Sequence, residues 1–484
     1  MNHKFEKCDA RIIYRAKVNY NDVKLFSHHE KCKEFFDEIE NGESLYIKVE
    51  RIVSEDENGK HFIEELSLNS IQYIRVSLLT EKIMDYDLEM FRREDRRELL
   101  SKYRPYFTSF IVSLENNRIQ DIESLGVDWY KGQYLRPESK VSEEGILLDG
   151  ILETSASPVN YLKGNLLVFT NRAINSSVLK KINSIYDPRK FEYTSSPDVE
   201  RILNDAWVND IPNTIDFYNV GHGNADYIRG DKHRILYDIG YNYRSFPSCS
   251  NSKYLRAVNA LRHLQPSCVV LSHWDLDHII GCAYAGQDIF KVKWIAPYLV
   301  SSKDKDASPN SIRLAHYLKA LGNLCLVDRE QPSKLIATIS GTNDIKIKVW
   351  LGSGTSIIKY KNLEGLILEI IDKNKKCPHV LLAGDVPYKC MNNPLTDPID
   401  IMHVPHHCSN MELKRLKSLP GVGKYAIIST NRKKTGTLNY DRTHHDELKN
   451  KFEMVLHTID DSSDDDEANL SIQIDYRKCT HQYR

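Results

Sequence analysis

The chain has 484 residues, 41% hydrophobic and 27% charged, a balance that excludes a disordered tail and leaves room for two or three buried cores. Lys plus Arg number 66 against 67 Asp plus Glu, so the formal charge of −1 argues against a chain coated in nucleic acid or lipid headgroups, though not against a local basic groove. With no apolar run near the roughly 18 residues of a bilayer span, no apolar stretch in MNHKFEKCDARIIYR, and ten singly scattered cysteines, the chain reads as a cytoplasmic protein with reduced thiols and no membrane contact.

Two halves differ in texture, and a division at 205/206 is expected. In residues 1–205, Leu45–Ile52 and Ile71–Leu78 alternate with period two, as half-buried strands do, and Phe107–Leu114 and Leu166–Phe169 read as further strands. Glu81–Tyr103 reads as one charged amphipathic helix, with Ile83, Met84, Leu88 and Phe91 on its apolar face. This α+β half carries no metal-ligand spacing, phosphate loop or repeat, and its expected role is recognition or the docking of a protein partner. The stretch from Pro197 to Pro212 looks like a boundary. Residues 206–484 then alternate short apolar strands with amphipathic helices, the mark of a layered α/β domain. The strands expected are Thr214–Val220, Arg234–Asp238, Cys268–Leu271, Lys346–Trp350, Gly365–Ile371, Val380–Ala383 and Tyr425–Ser429, with helices over Tyr254–Leu264 and Ile312–Leu321. Several strands end abruptly in Asp, Gly or His, where such scaffolds place chemistry.

The strongest signal is Leu271-Ser-His273-Trp-Asp275-Leu-Asp277-His278, directly after an apolar strand. A tight turn there can aim His273 and Asp275 at one point and Asp277 and His278 at a neighbouring one. Imidazole nitrogen with carboxylate oxygen suits zinc, manganese or iron better than calcium.

HWDLDH resembles the HxHxDH signature of the metallo-β-lactamase fold, with Asp275 where the second His usually stands. Further segments resemble the hydrolase domain of ComEC-type competence proteins: Asn219-Val-Gly-His222-Gly-Asn-Ala225, Tyr237-Asp238-Ile-Gly240, Asn362 with Leu366–Ile370, Leu381-Leu-Ala-Gly384-Asp385, and Val404-Pro-His406-His407-Cys408-Ser409. The resemblance spans about residues 214–460 and implies an αββα metallo-β-lactamase-like domain joined to the N-terminal α+β domain. It implies one or two divalent ions, Zn2+ or Mn2+: His273 and Asp275 on one, Asp277 and His278 on a second, Asp385 bridging, and His406 or His407 completing the site. An extended strand turns neighbours to opposite faces, so one of the pair is expected as the ligand and the other as a proton carrier or substrate contact, with His406 assigned to the metal and His407 to catalysis. Asp238 would orient ligands from behind. Asn362, in place of a usual His, and Asp275 are departures that weaken the first metal position.

Such a site implies metal-assisted hydrolysis, with Asp277, His407 and Asp238 as its working groups. Nucleic acid is the expected substrate, because Lys414, Arg415, Lys417, Lys424 and Arg432–Lys434 follow the double-histidine motif and would favour a phosphodiester backbone. His222 and His444 are further candidates for substrate contact, and Trp274 for stacking or for packing on the adjacent strand. His403 reads as structural. A small ester, lactone or cyclic nucleotide is the alternative substrate class, and a binding module with a degraded metal site the non-enzymatic one.

Overall fold

In the computed structural model the protein is described over residues 10–14, 37–39, 41–54, 71–93, 95–103, 107–113, 129–135, 146–148, 151–154, 161–163, 165–169, 173–220, 223–241, 260–300, 307–329, 334–340, 344–353, 361–374, 377–391, 394–429, 440–458 and 469–474. Three sheets organise the described chain, two of eight strands and one of seven. The first runs Ala10–Tyr14, Asn469–Ile474, Thr214–Tyr218, Asp226–Arg229, Arg234–Tyr237, Cys268–Val270, Lys293–Pro297, Leu324–Val327. The seven-stranded sheet runs Leu335–Ser340, Ile345–Leu351, Leu366–Asp372, Val380–Leu382, Ile401–His403, Gly423–Ile428, Phe452–His457. The third is built from strands between Leu45 and Phe169, all of whose pairings are antiparallel.

The period of two along each strand decides the layering. Leu366, Leu368 and Ile370 point into one apolar cluster together with Ile235, Tyr237, Cys268 and Val270 of the opposing sheet. Their neighbour Ile367 points the other way, into a cluster with Leu416 and Leu448 from the outer helices. Both sheets are therefore covered on both faces, which is why their parallel strands read as unbroken apolar runs. The expected αββα sandwich is present. At about 1.5–3 kcal/mol for each fully buried aliphatic side chain, this double burial is the main term holding the sheets face to face.

Two elements that begin before residue 206 join the C-terminal sandwich. Ala10–Tyr14 pairs antiparallel with Asn469–Ile474 in the C-terminal sandwich. Helix Ser196–Ala206 buries Val199 and Leu203 in the inter-sheet cluster. The expected single helix over Glu81–Tyr103 is two, Glu81–Arg92 and Arg96–Lys102. Asp95 makes the break: its carboxylate accepts from the backbone N–H of Arg97 and of Glu98 at 2.8 and 3.1 Å and starts the second helix as an N-cap. Most of the helix expected over Tyr254–Leu264 lies outside the described residues; the other, Pro309–Ala320, is buried on almost every side between the first sheet and the N-terminal unit. Its Arg313 forms a fully buried pair with Asp87 (Nη2 to Oδ2 2.9 Å). Asn310 joins the same seam, accepting from Thr108 N–H at 2.9 Å and donating to Ser77 Oγ at 3.1 Å. Among the described residues no helix is long and apolar enough to cross a membrane.

Candidate metal centre

Arg234–Tyr237, Cys268–Val270 and Lys293–Pro297 run parallel in one sheet. Val380–Leu382, Ile401–His403, Gly423–Ile428 and Phe452–His457 run parallel in the other. The loops leaving the carboxyl ends of these strands carry Asp238, His273–His278, Asp385 and His406–His407, and they meet at one edge of the sandwich.

Asp277, His278, Asp385 and His407 are all buried and place one donor atom each within 4.8 Å of one another. Asp385 is the centre of the arrangement. Its Oδ1 lies 3.1 Å from Nε2 of His278 and 3.8 Å from Nε2 of His407, and Asp277 Oδ2 is 3.3 Å from the same His407 nitrogen. Its Oδ2 lies 3.6 Å from Nε2 of both His273 and His406, and His273 Nε2 is 3.7 Å from Asp275 Oδ2. Two donor sets thus flank one carboxylate. Metal–ligand bonds of about 2.0–2.2 Å in a tetrahedron separate neighbouring donors by about 3.3–3.6 Å, and the distances here bracket that spacing at 3.1–3.8 Å.

Local structure explains how each side chain arrives. Gly384 takes φ +54°, and a Cβ there would meet Ser272 Cβ and Oγ at 2.5 Å, so only glycine lets Asp385 follow its strand this closely. His406, His407 and Cys408 are all left-handed, with φ 49°, 51° and 63°. This corrects the expectation that only one of the two imidazoles can face the site. Pro405–Cys408 is a tight turn and not an extended strand, so the adjacent imidazoles face opposite oxygens of Asp385, with His407 buried and His406 half-buried. Asp275 stands at the start of the four-residue helix Leu276–Ile279 but makes no capping hydrogen bond; its carboxylate turns to His273 instead.

Behind the donors, Asp238 is fully buried at φ 59°. It accepts from the backbone N–H of Ser272 at 2.6 Å and from its hydroxyl at 2.7 Å, and pairs with Nδ1 of His278 at 2.7 Å. With its proton on Asp238, the Ser272 hydroxyl accepts from Nδ1–H of His273 at 3.0 Å. Nδ1–H of His407 donates to the carbonyl of Ser429 at 2.9 Å. Three imidazoles are therefore fixed with the proton on Nδ1 and Nε2 facing inward. Nε2 of His273 and of His278 is buried and makes no hydrogen bond of acceptable geometry, the condition in which a metal ion fits. Burial opposes charge on His278, yet Asp385 and Asp238 outweigh it and raise its pKa well above the histidine range. Burial likewise raises Asp277, but the His407 contact and the nearby His278 hold it at about 2. The pocket is built for a cation.

Other expectations fare unevenly. His444 is not a substrate contact: it is fully buried, accepting from Tyr388 OH at 2.9 Å and donating Nδ1–H to Ser409 O at 2.9 Å. It lies in the helix Arg442–Lys451, which Asp441 caps at its N-terminus. Trp274 packs, donating to Pro297 O at 2.6 Å. His403 is structural, its Nδ1 2.6 Å from Asp226 Oδ2 across the two sheets. Lys414 and Lys417 are exposed on the short helix Lys414–Lys417, and Arg415 reaches Met391 O at 3.4 Å. Asn362 lies in the turn Lys361–Glu364 with its side chain outside the described residues; His222 and Arg432–Lys434 also lie outside them. Sequence reasoning missed Ser272, Ser429, Asp226 and Tyr388, whose residue types carry no sign of their role.

No family model and no curated protein matches the chain. Among solved structures it is similar to the metallo-β-lactamase fold protein YhfI from Bacillus subtilis, at 11% identity and a TM-score of 0.32 over 54% of this chain and 100% of that one. It is also similar to Zn2+-bound PqqB from Methylobacterium extorquens, at 9% identity and a TM-score of 0.28 over 49% and 85%. A diphosphatase from the PhnP family follows at 13% identity and a TM-score of 0.27 over 49% and 82%. On its own sheets and side chains, the protein is an αββα sandwich with a buried His/Asp cluster suited to divalent metal at one edge.

Proposed function

We propose that the protein is a metal-dependent phosphodiesterase acting on nucleic acid. The observation that carries the reading is Asp385, whose two oxygens face two separate donor sets, His278, His407 and Asp277 on one side and His273, His406 and Asp275 on the other. Divalent ions held there would supply positive charge for an attacked phosphoryl oxygen and acidify water. The chain's own part is to keep the imidazole protons on Nδ1 through Asp238, Ser272 and Ser429, and to leave an approach beside the half-buried His406. Exposed Lys414 and Lys417, a few residues beyond the His406–His407 turn, support a polyanionic substrate in a chain with no overall positive charge.

Metal analysis of the purified protein, paired with cleavage assays on labelled single- and double-stranded DNA and RNA, tests this. About two ions per chain and chelator-sensitive cleavage are expected. Lys414→Glu with Arg415→Glu and Lys417→Glu should weaken nucleic-acid binding and flatten its salt dependence, while turnover of a small p-nitrophenyl phosphodiester stays level. Metal-loaded protein that cleaves only small esters would overturn the nucleic-acid assignment, and metal-free protein that binds without cutting would overturn the enzymatic one.

A further inference from the structure

A second feature lies at the same edge of the sandwich. Tyr440, His445 and His457 line a cavity of about 400 Å³, with Arg442, Lys449 and Asp446 at its rim. The ring centroids lie 4.7 Å apart for Tyr440 and His445, 5.2 Å for Tyr440 and His457, and 5.6 Å for His445 and His457. Asp446 stands 4.0 Å from Arg442, 3.8 Å from Lys449 and 3.9 Å from His445. The two cations and one carboxylate sum to one positive charge.

Topology places this cavity beside the metal ligands. His457 closes the strand Phe452–His457, which is parallel to Gly423–Ile428, itself parallel to Ile401–His403. The carboxyl ends of these three strands lead to His457, to Ser429 under His407, and to the His406–His407 turn. Neighbouring strands are about 4.8 Å apart, so the cavity is displaced by roughly 10 Å from the strand that feeds the histidine turn. One nucleotide unit can bridge that span. The backbone joins the two sites: Asp441 N–H donates to Cys408 O at 2.8 Å, and His445 N–H to Asp441 O at 3.0 Å.

We propose that the Tyr440–His445–His457 cavity receives the base of a nucleotide whose phosphate sits at the Asp385 centre. Flat rings give a π face that any base can stack on, and a single net positive charge at the rim favours a nucleotide over a neutral aromatic. The volume falls in the range of sites for molecules of this size. This inference rests on the phosphodiesterase reading, and it adds where the substrate's base goes.

The test uses the full chain, prepared metal-free and zinc-loaded, titrated with 5′-AMP and with inorganic phosphate by calorimetry. Tyr440→Ala and His457→Ala are each expected to weaken AMP binding by about 5- to 150-fold, the worth of one stacked base, and to leave phosphate binding and metal stoichiometry unchanged. Tyr440→Phe keeps a ring and should keep the affinity, and His457→Ala carries the test where Tyr440→Ala fails to fold. If AMP binds in a Tyr440-dependent way to a protein that cleaves no nucleic acid, the base site stands and the phosphodiesterase reading falls. If nucleic acid is cleaved while Tyr440→Ala and His457→Ala match the parent in AMP affinity and in KM, the base site is wrong.

Discussion

The carboxylate of Asp238 and Nδ1 of His278 lie 2.7 Å apart, both fully buried, in the loops that leave two adjacent parallel strands. Asp238 also takes both hydrogen bonds that Ser272 offers, so a single side chain fixes the loop carrying His273 and the ring of His278. Asp238→Asn removes the charge, and Asn is among the few residues at ease with φ 59°, so the backbone cost is small. The variant should remain folded and lose about 10- to 100-fold in divalent-metal affinity, read by competition with a chelating dye. Unchanged affinity would show that His278 holds its orientation without Asp238.

Tyr388 and His444 brace the other side of the centre. Tyr388 follows Asp385 by three residues, and His444 passes the contact on to Ser409, just past the His406–Cys408 turn. Burial, more than its neighbours, holds His444 down to about 4, so it is neutral across the working pH range and can accept from the tyrosine. Tyr388→Phe should cost about 1 kcal/mol in urea denaturation, the net worth of one hydrogen bond, with a further loss of metal affinity as the two ligand loops loosen. Equal affinity in the variant would confine Tyr388 to a packing role.

The seam between the N-terminal unit and the sandwich depends on charge. Arg313 donates to both oxygens of Asp87 at 2.9–3.1 Å, Tyr186 OH donates to the same carboxylate, and Asp87 and Arg313 have no solvent exposure. Arg313→Met leaves a buried carboxylate without its cation and should cost about 3–5 kcal/mol. Combining it with Asp87→Leu removes the stranded charge and should restore part of that loss. Equilibrium denaturation of the two variants decides; an equal loss in both would mean that shape and not charge governs the seam.

His316 gives the protein an acid sensitivity away from the metal ligands. Its ring stacks on Phe91 at 3.8 Å and meets Phe191 at 4.6 Å. Burial, helped by Lys319 and Lys190, lowers its pKa from 6.5 to about 3. Below pH 6.5 the unfolded chain takes a proton that the folded chain refuses, so stability contributed by the neutral ring is full above pH 6.5 and drains away as pH falls toward 3. The total is of the order of a few kcal/mol. His316→Phe should be less sensitive than the parent between pH 6.5 and 4, measured as the difference in urea midpoints; parallel pH profiles would refute the assignment.

Much of the centre was legible because its ligands follow short apolar runs. Cys268–Leu271 and Val380–Ala383 each announce a buried strand, and a His or Asp just after such a strand falls at a sheet edge by construction. What stayed hidden depends on contacts distant in sequence or on backbone conformation. Cys408, Ser409 and Asp441 give no sign that His444 would be consumed by the turn before it. The double histidine suggested opposite-facing neighbours, and only three successive left-handed residues let both rings serve one carboxylate. The strand Ala10–Tyr14 was unreadable as part of the sandwich, since its partner Asn469–Ile474 lies at the far end of the chain.

That pairing has a consequence for how the protein is made. Asn469–Ile474 sits between Ala10–Tyr14 and Thr214–Tyr218 and hydrogen-bonds to both. During synthesis the first of these strands waits, with an open edge, until residue 474 has left the ribosome, while the N-terminal sheet can close on its own sequential strands much earlier. The sheet that supplies Asp238 and His273–His278 is thus completed only when segments more than 450 residues apart have met. A slow-translating stretch upstream of residue 469 would prolong exposure of Thr214–Tyr218 as an unpaired edge and invite strand addition from a neighbouring chain.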